Sequence, residues 1–228
     1  AADVPLLFRP MDKLLGACVR AGGDTQGIMV TSERDLHMQR FTAAHEFGHL
    51  RLGHQGSFDL EGDIGFLGHT THKELEEIAA DSFAADFLAP RWLVRHHCER
   101  QRWSALDLKK ADVVYQLSLR LSISYQATCW SLQSHKAIDE VEAAALRRVE
   151  PKHSKRAVLR GFPLRDSWAD VWRVRNFDNG GSLAAGPTDM ISVELPEHAA
   201  GGYEWDAAAL SQAGFEPATL GHHRRDRQ

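Results

Sequence analysis

Phe41-Thr42-Ala43-Ala44-His45-Glu46-Phe47-Gly48-His49-Leu50-Arg51-Leu52 is the stretch that decides how the chain is read. Phe41, Ala44, Phe47 and Leu50 recur at helical spacing, Thr42 is a suitable N-cap, and Gly53 is a natural C-terminal stop. On such a helix His45 and His49 lie one turn apart and aim their imidazoles at one spot. Two neutral imidazoles converging in this way suit zinc. Glu46, rotated by roughly 100°, reaches a water beside the ion instead of the ion. The apolar residues around it bury this helix, and buried His and Glu are costly without partners. The pattern therefore predicts a metal site able to activate water.

A catalytic zinc needs a third protein ligand and an open fourth position. His54 follows nine positions after His45, but the extended three-histidine spacing places its last ligand ten after, where Gln55 stands. That register argues against His54 as the ligand and for a helix-end residue. A second inward-packing helix is predicted from about Lys73 to Leu88, with Ala80, Phe83, Ala84, Phe87 and Leu88 as its apolar stripe and Ala89-Pro90 as its stop. Glu77 and Asp81 share one face of it. Glu77 would bind zinc while Asp81 accepts the second-nitrogen proton of a ligand histidine. Periodicity alone leaves Glu74 and Glu76 open as ligands.

Arg40-Phe41-Thr42-Ala43-Ala44-His45-Glu46-Phe47-Gly48-His49, followed by Glu77-Ile78-Ala79-Ala80-Asp81-Ser82-Phe83-Ala84-Ala85-Asp86-Phe87-Leu88-Ala89-Pro90, resembles the ImmA/IrrE family of metallopeptidases. The similarity covers about residues 24 to 95, with a looser match to about 145. Phe47 replaces a commoner leucine, and Ala79 stands where the family often has a second glutamate. The resemblance implies a zinc endopeptidase with His45, His49 and Glu77 on the ion and Glu46 as general base. It also implies a protein substrate, typically a helix-turn-helix repressor whose cleavage relieves repression during stress or in mobile elements. For the oxyanion, chemistry offers Tyr115, Tyr125, His69 and His72 without choosing among them.

Composition narrows the alternatives. The chain has 228 residues, 13 histidines, 3 cysteines and a net charge of −4. Cys18, Cys98 and Cys129 are widely spaced, which rules out a disulfide framework or a cysteine-rich zinc module. No apolar run is long enough for a membrane span. The opening Ala1-Ala2-Asp3-Val4 shows no secretory signal, so a cytoplasmic location is expected.

Outward from the motif, a helix carrying Met11, Leu14, Leu15 and Val19 is expected before Gly22-Gly23, and a strand over Gly27–Thr31. Residues 55 to 72 form a long Gly-, Asp- and His-rich connection of the kind that shapes functional sites. Helices are expected between Trp92 and about Val149, with Leu121-Ser122-Ile123-Ser124 as a turn between two of them. This segment, 111 to 132, looks like a helix-turn-helix. Its basic residues are chiefly Lys109, Lys110 and Arg120, a weak footprint that argues against direct DNA binding and for a platform that docks substrate.

Pro151-Lys152-His153-Ser154-Lys155-Arg156 reads as a linker. Beyond it, Val171–Val174 and Met190–Leu195 alternate as strands, and the tail from Gly221 reads as disordered. Ile191 to Trp205 is similar to the strand and Gly-Tyr-x-Trp loop of chagasin-like protease inhibitors, with His198-Ala199-Ala200-Gly201 departing from it. The expected architecture is α+β: a metallopeptidase core over 1–95, a helical segment over 96–150 and a small β-rich region over 151–228. A non-proteolytic zinc-fold scaffold and a DNA-binding regulator are the competing functional classes.

Overall fold

Eight residues of β2 (Leu14–Ala21) carry the first departure from the sequence-based expectation, because they form a strand where a helix was expected. Met11, Leu14, Leu15 and Val19 fit helical spacing, yet Leu14-Leu15-Gly16-Ala17-Cys18-Val19 is also one short apolar run. A strand buried on both faces gives the same signal as a buried helix, and only length argues between them. Here Leu15, Ala17 and Cys18 are all buried. The turn before β2 uses Lys13 in the left-handed region, at φ 57°.

A computed structural model describes residues 4–21, 25–54, 58–60, 75–196 and 205–218. The expected Gly22-Gly23 stop, most of the 55–72 connection and the tail from Gly221 lie outside the described residues. Contacts divide the chain into two units, Ala1–Ser154 and Lys155–Gln228. Among the described residues no helix is long and apolar enough to cross a membrane.

In the first unit, β1 (Leu6–Arg9), β3 (Thr25–Thr31), β2 and β4 (Phe58–Leu60) lie in that order in one sheet. The β1/β3 pair is parallel, while β2 runs antiparallel to both β3 and β4. Gly16 pairs with Val30 and Cys18 with Ile28. Cys18, Ile28 and Val30 thereby make an apolar surface that receives Leu50, Ala43 and Phe47 of α1 (Leu36–Leu52).

α1 starts about two turns earlier than expected. Asp35, not Thr42, is its N-cap, accepting from the Met38 backbone N–H at 2.8 Å. Thr42 is fully buried inside the helix. The polar residues from Ser32 to Gln39 masked this start, because the first turns of a helix can be solvated without any apolar stripe. Gly53, at φ 82°, closes the helix as expected.

α2 (Leu75–Leu88) packs directly on α1. A Cβ added at Gly48 would stand 3.1 Å from Phe83 Cδ1 and 3.3 Å from the Ala80 backbone, so the two helices approach as closely as glycine allows. Phe47, Phe83 and Phe87 frame that crossing, with ring centroids 5.7–5.8 Å apart.

The remaining helices of this unit are α3 (Arg91–Gln101), α4 (Ala111–Leu121), α5 (Tyr125–Ser134) and α6 (Glu140–Arg147). The turn between α4 and α5 falls where expected. Ser122 takes φ 53°, and Ser124 Oγ accepts from the Ala127 N–H to cap α5. Tyr125 donates its hydroxyl to the Leu146 carbonyl at 3.1 Å, tying α5 to α6.

The expected linker is instead the start of α7 (Pro151–Leu159). Proline is tolerated in the first helical turn, where its missing N–H would have no partner anyway. Ser154, Lys155, Val158 and Leu159 recur at helical spacing and are buried. In the second unit β5 (Val171–Arg175) and β6 (Met190–Glu194) pair in parallel, Val171 opposite Met190. Asp189 holds the start of this pair, accepting from the Asp170 and Gly186 N–H groups and from Trp172 Nε1. A short helix, α8 (Ala208–Gln212), follows. Of the stretch Ile191 to Trp205 that is similar to chagasin-like inhibitors, residues 197–204 lie outside the described residues. The architecture is α+β, as expected, with helices dominating and small sheets.

Candidate metal centre

His45 and His49 are 0% and 1% exposed, which places both imidazoles in the interior on one face of α1. Their Nε2 atoms are 2.9 Å apart. From α2, Glu77 brings Oε2 to 3.1 Å from His45 Nε2 and Oε1 to 3.5 Å from His49 Nε2. The fourth inward residue, Asp81, places Oδ1 2.9 Å from His45 Nδ1. One turn of α2 thus spans both ring nitrogens of the same histidine.

That arrangement constrains the protons. A carboxylate only accepts, so His45 Nδ1 carries the hydrogen and donates to Asp81. The neutral ring then turns its Nε2 lone pair towards His49 Nε2 and the Glu77 carboxylate. With His49 in the tautomer that carries its hydrogen on Nδ1, three lone-pair donors would converge here, and they repel one another unless a cation stands among them. The spacing fits such an ion. Ligands roughly 2.0–2.1 Å from a tetrahedral zinc stand about 3.3 Å from each other, and the observed separations are 2.9, 3.1 and 3.5 Å. Among the described residues, His45, His49 and Glu77 form the group able to hold a metal.

Of the acids left open by the sequence, one stands with the histidines among the described residues. Glu77 faces the histidines, Glu76 is exposed, and Glu74 lies outside the described residues. His54 stays out of the converging set. Its Nδ1 lies 3.0 Å from His49 Nδ1, on the ring edge away from the other ligand atoms. Glu46 is fully buried and likewise does not join the set.

Sequence reasoning missed the residue that shapes the surroundings of Glu46. A Cβ at Gly16 of β2 would fall 2.8 Å from Glu46 Oε1 and 2.4 Å from Thr42 Cγ2. The strand backbone therefore passes directly over the glutamate. A glycine inside an otherwise apolar run was the available signal, since glycine in a strand marks close approach by another group.

A match to the family model of the IrrE N-terminal-like domain, a peptidase family, extends over residues 1–132. The chain belongs to the IrrE N-terminal-like peptidase family. No curated protein matches it. The match in this IrrE-like chain takes in the whole sheet, α1, α2 and the candidate ligands, and continues through α4 and most of α5.

Other chemistry in the IrrE-like unit is quiet. Burial pushes the Cys98 and Cys129 thiols up to about 11, so neither supplies a thiolate at neutral pH. Of the oxyanion candidates, Tyr125 is committed to Leu146, Tyr115 is buried within α4, and His69 and His72 lie outside the described residues. The basic residues of the helix-turn-helix-like segment are engaged locally. Lys109 pairs with Glu142, Lys110 with Asp107, and Arg120 donates to Gln116 while lying over the Trp103 ring.

Proposed function

We propose that this chain is a zinc-dependent endopeptidase acting in the cytoplasm on a helix-turn-helix transcriptional repressor, whose cleavage relieves repression. His45, His49 and Glu77 hold the ion in this reading, Glu46 is the general base, and Asp81 orients His45. The convergence of two histidine Nε2 atoms and a carboxylate, with His45 Nδ1 turned to Asp81, is the observation that carries it. A His₂-carboxylate donor set is one that catalytic zinc uses.

Zinc there would supply a Lewis acid able to polarise a carbonyl and to lower the pKa of water to about 7. Glu46 takes a proton from the attacking water and delivers it to the leaving amine. Its burial beneath Gly16 keeps bulk water from competing for the carboxylate. The substrate class rests on the family resemblance. Residues 1–95 serve as the catalytic core in this reading, 96–150 as the platform that docks the substrate, and 151–228 as a separate small module.

The test compares the full chain with its Glu46→Gln variant, for zinc content and for cleavage of repressors encoded nearby. Equal zinc with cleavage only by the unchanged chain supports the enzyme. Zinc in both and cleavage by neither, across several repressors, favours a zinc-fold scaffold working by protein contact.

A further inference from the structure

We infer that His54 is a positioning residue of the metal centre, holding His49 through its Nδ1 as Asp81 holds His45. The inference rests on the zinc reading above. His49 Nδ1 and His54 Nδ1 are 3.0 Å apart, with the rings edge-on at 69° and centroids 5.0 Å apart. Two ring nitrogens at that distance share one hydrogen. If His49 offers its Nε2 lone pair to a metal, its Nδ1 bears the hydrogen, so His54 Nδ1 accepts. His54 is then neutral, with its own hydrogen on Nε2.

Local backbone geometry delivers this contact. The Gly53 N–H donates to the His49 carbonyl with Gly53 at φ 82°, and the His54 N–H donates to the same carbonyl at 3.0 Å. That left-handed step ends α1 and folds residue 54 back over the helix's last turn, a path that a side chain at 53 would strain. The nine-residue spacing from His45, wrong for a ligand, is right for a group behind one. The two ligand histidines are therefore supported unequally: His45 faces a carboxylate and His49 a neutral imidazole. Partners of this kind orient a ligand ring and raise its basicity, and their loss costs about 10- to 100-fold in metal affinity.

The test measures zinc affinity of the full chain by competition with a chromophoric chelator, alongside thermal unfolding of the zinc-free forms. His54→Ala should weaken zinc about 10- to 100-fold. His54→Asn, whose Oδ1 can take the place of Nδ1 as acceptor, should stay nearer the unchanged chain. His54→Leu, close to Asn in size but without an acceptor, should resemble Ala, and it decides the matter if Ala destabilises the zinc-free fold. Unchanged affinity in Ala and Leu, or an Asn variant as weak as Leu, overturns the role of His54. An unchanged chain that binds no zinc at all overturns the metal reading itself, and this inference with it.

Discussion

Asp81 Oδ1 stands 2.9 Å from His45 Nδ1 while Glu77, one turn earlier on the same helix, stands 3.1 Å from His45 Nε2. The two acids divide the imidazole between them: one fixes where its proton sits, the other shares the direction of its lone pair. Removing Asp81 should therefore weaken metal binding without removing a ligand. Asp81→Ala is expected to lower zinc affinity about 10- to 100-fold while leaving one zinc per chain at saturation, as measured by chelator competition. An unchanged affinity would mean that His45 is oriented by α1 packing alone.

Glu77→Gln removes the carboxylate proposed to hold the ion and should release zinc on dialysis, whereas Glu46→Gln should retain it. Peptide hydrolysis should disappear in both, falling about 10²- to 10⁴-fold for Glu46→Gln if general-base catalysis is its only role. Metal analysis beside a cleavage assay separates the two. Loss of zinc in Glu46→Gln would move Glu46 from base to ligand.

Gly16→Ala and Gly48→Ala should fail differently. The Gly16 Cβ would come within 2.8 Å of Glu46 Oε1, so hydrolysis should fall with zinc still bound. The Gly48 Cβ would push on Phe83 and the Ala80 backbone, separating α1 from α2 and with it Glu77 from the histidines. Overpacking of this kind costs about 1–3 kcal/mol, and for Gly48→Ala it should appear as lower thermal stability and weaker zinc together. Full zinc affinity in Gly48→Ala would show that the helix crossing does not set the ligand geometry.

Thiol chemistry should prove irrelevant to activity. Alkylation with iodoacetamide at pH 7.5 is expected to leave hydrolysis intact, since Cys18 is buried and burial raises the Cys98 and Cys129 thiols to about 11. A zinc chelator should abolish hydrolysis, and added zinc should restore it. Inactivation by iodoacetamide with zinc still bound would reverse that assignment.

Lys109→Ala should leave stability close to unchanged, and neither it nor Arg120→Ala should alter retention on a DNA column. Lys109 is paired with Glu142 at the surface, and such pairs contribute about 0–1 kcal/mol. A salt-sensitive loss of DNA retention in these variants would favour the regulator class.

The placement of His45, Glu46 and His49 on one buried helix was legible in the chain because the helical period is a local property. The same holds for Glu77 and Asp81, which share a face by being four residues apart. Local signals also located the Ser122–Ser124 turn and the Gly53 stop. They failed where one pattern serves two structures. The apolar run at 14–19 suits a buried helix or a doubly covered strand, and the sheet pairing with β3 decides it. Pro151 suits a linker or a helix start, and burial of Ser154, Lys155, Val158 and Leu159 decides that.

Which acid meets the histidines, why Gly16 must lack a side chain, and what His54 does were all decided by tertiary structure. Each depends on the distance between groups on different elements or across a helix end. Glu77 reaches His45 only because Gly48 lets α2 approach α1. Glu46 lies under a strand that precedes it by some thirty residues in the chain. His54, off register as a ligand, gains its place from one left-handed step at Gly53. Helical periodicity sets which residues can act together along one element. Packing sets which of them meet, because spacing within a helix says nothing about how near its neighbour comes.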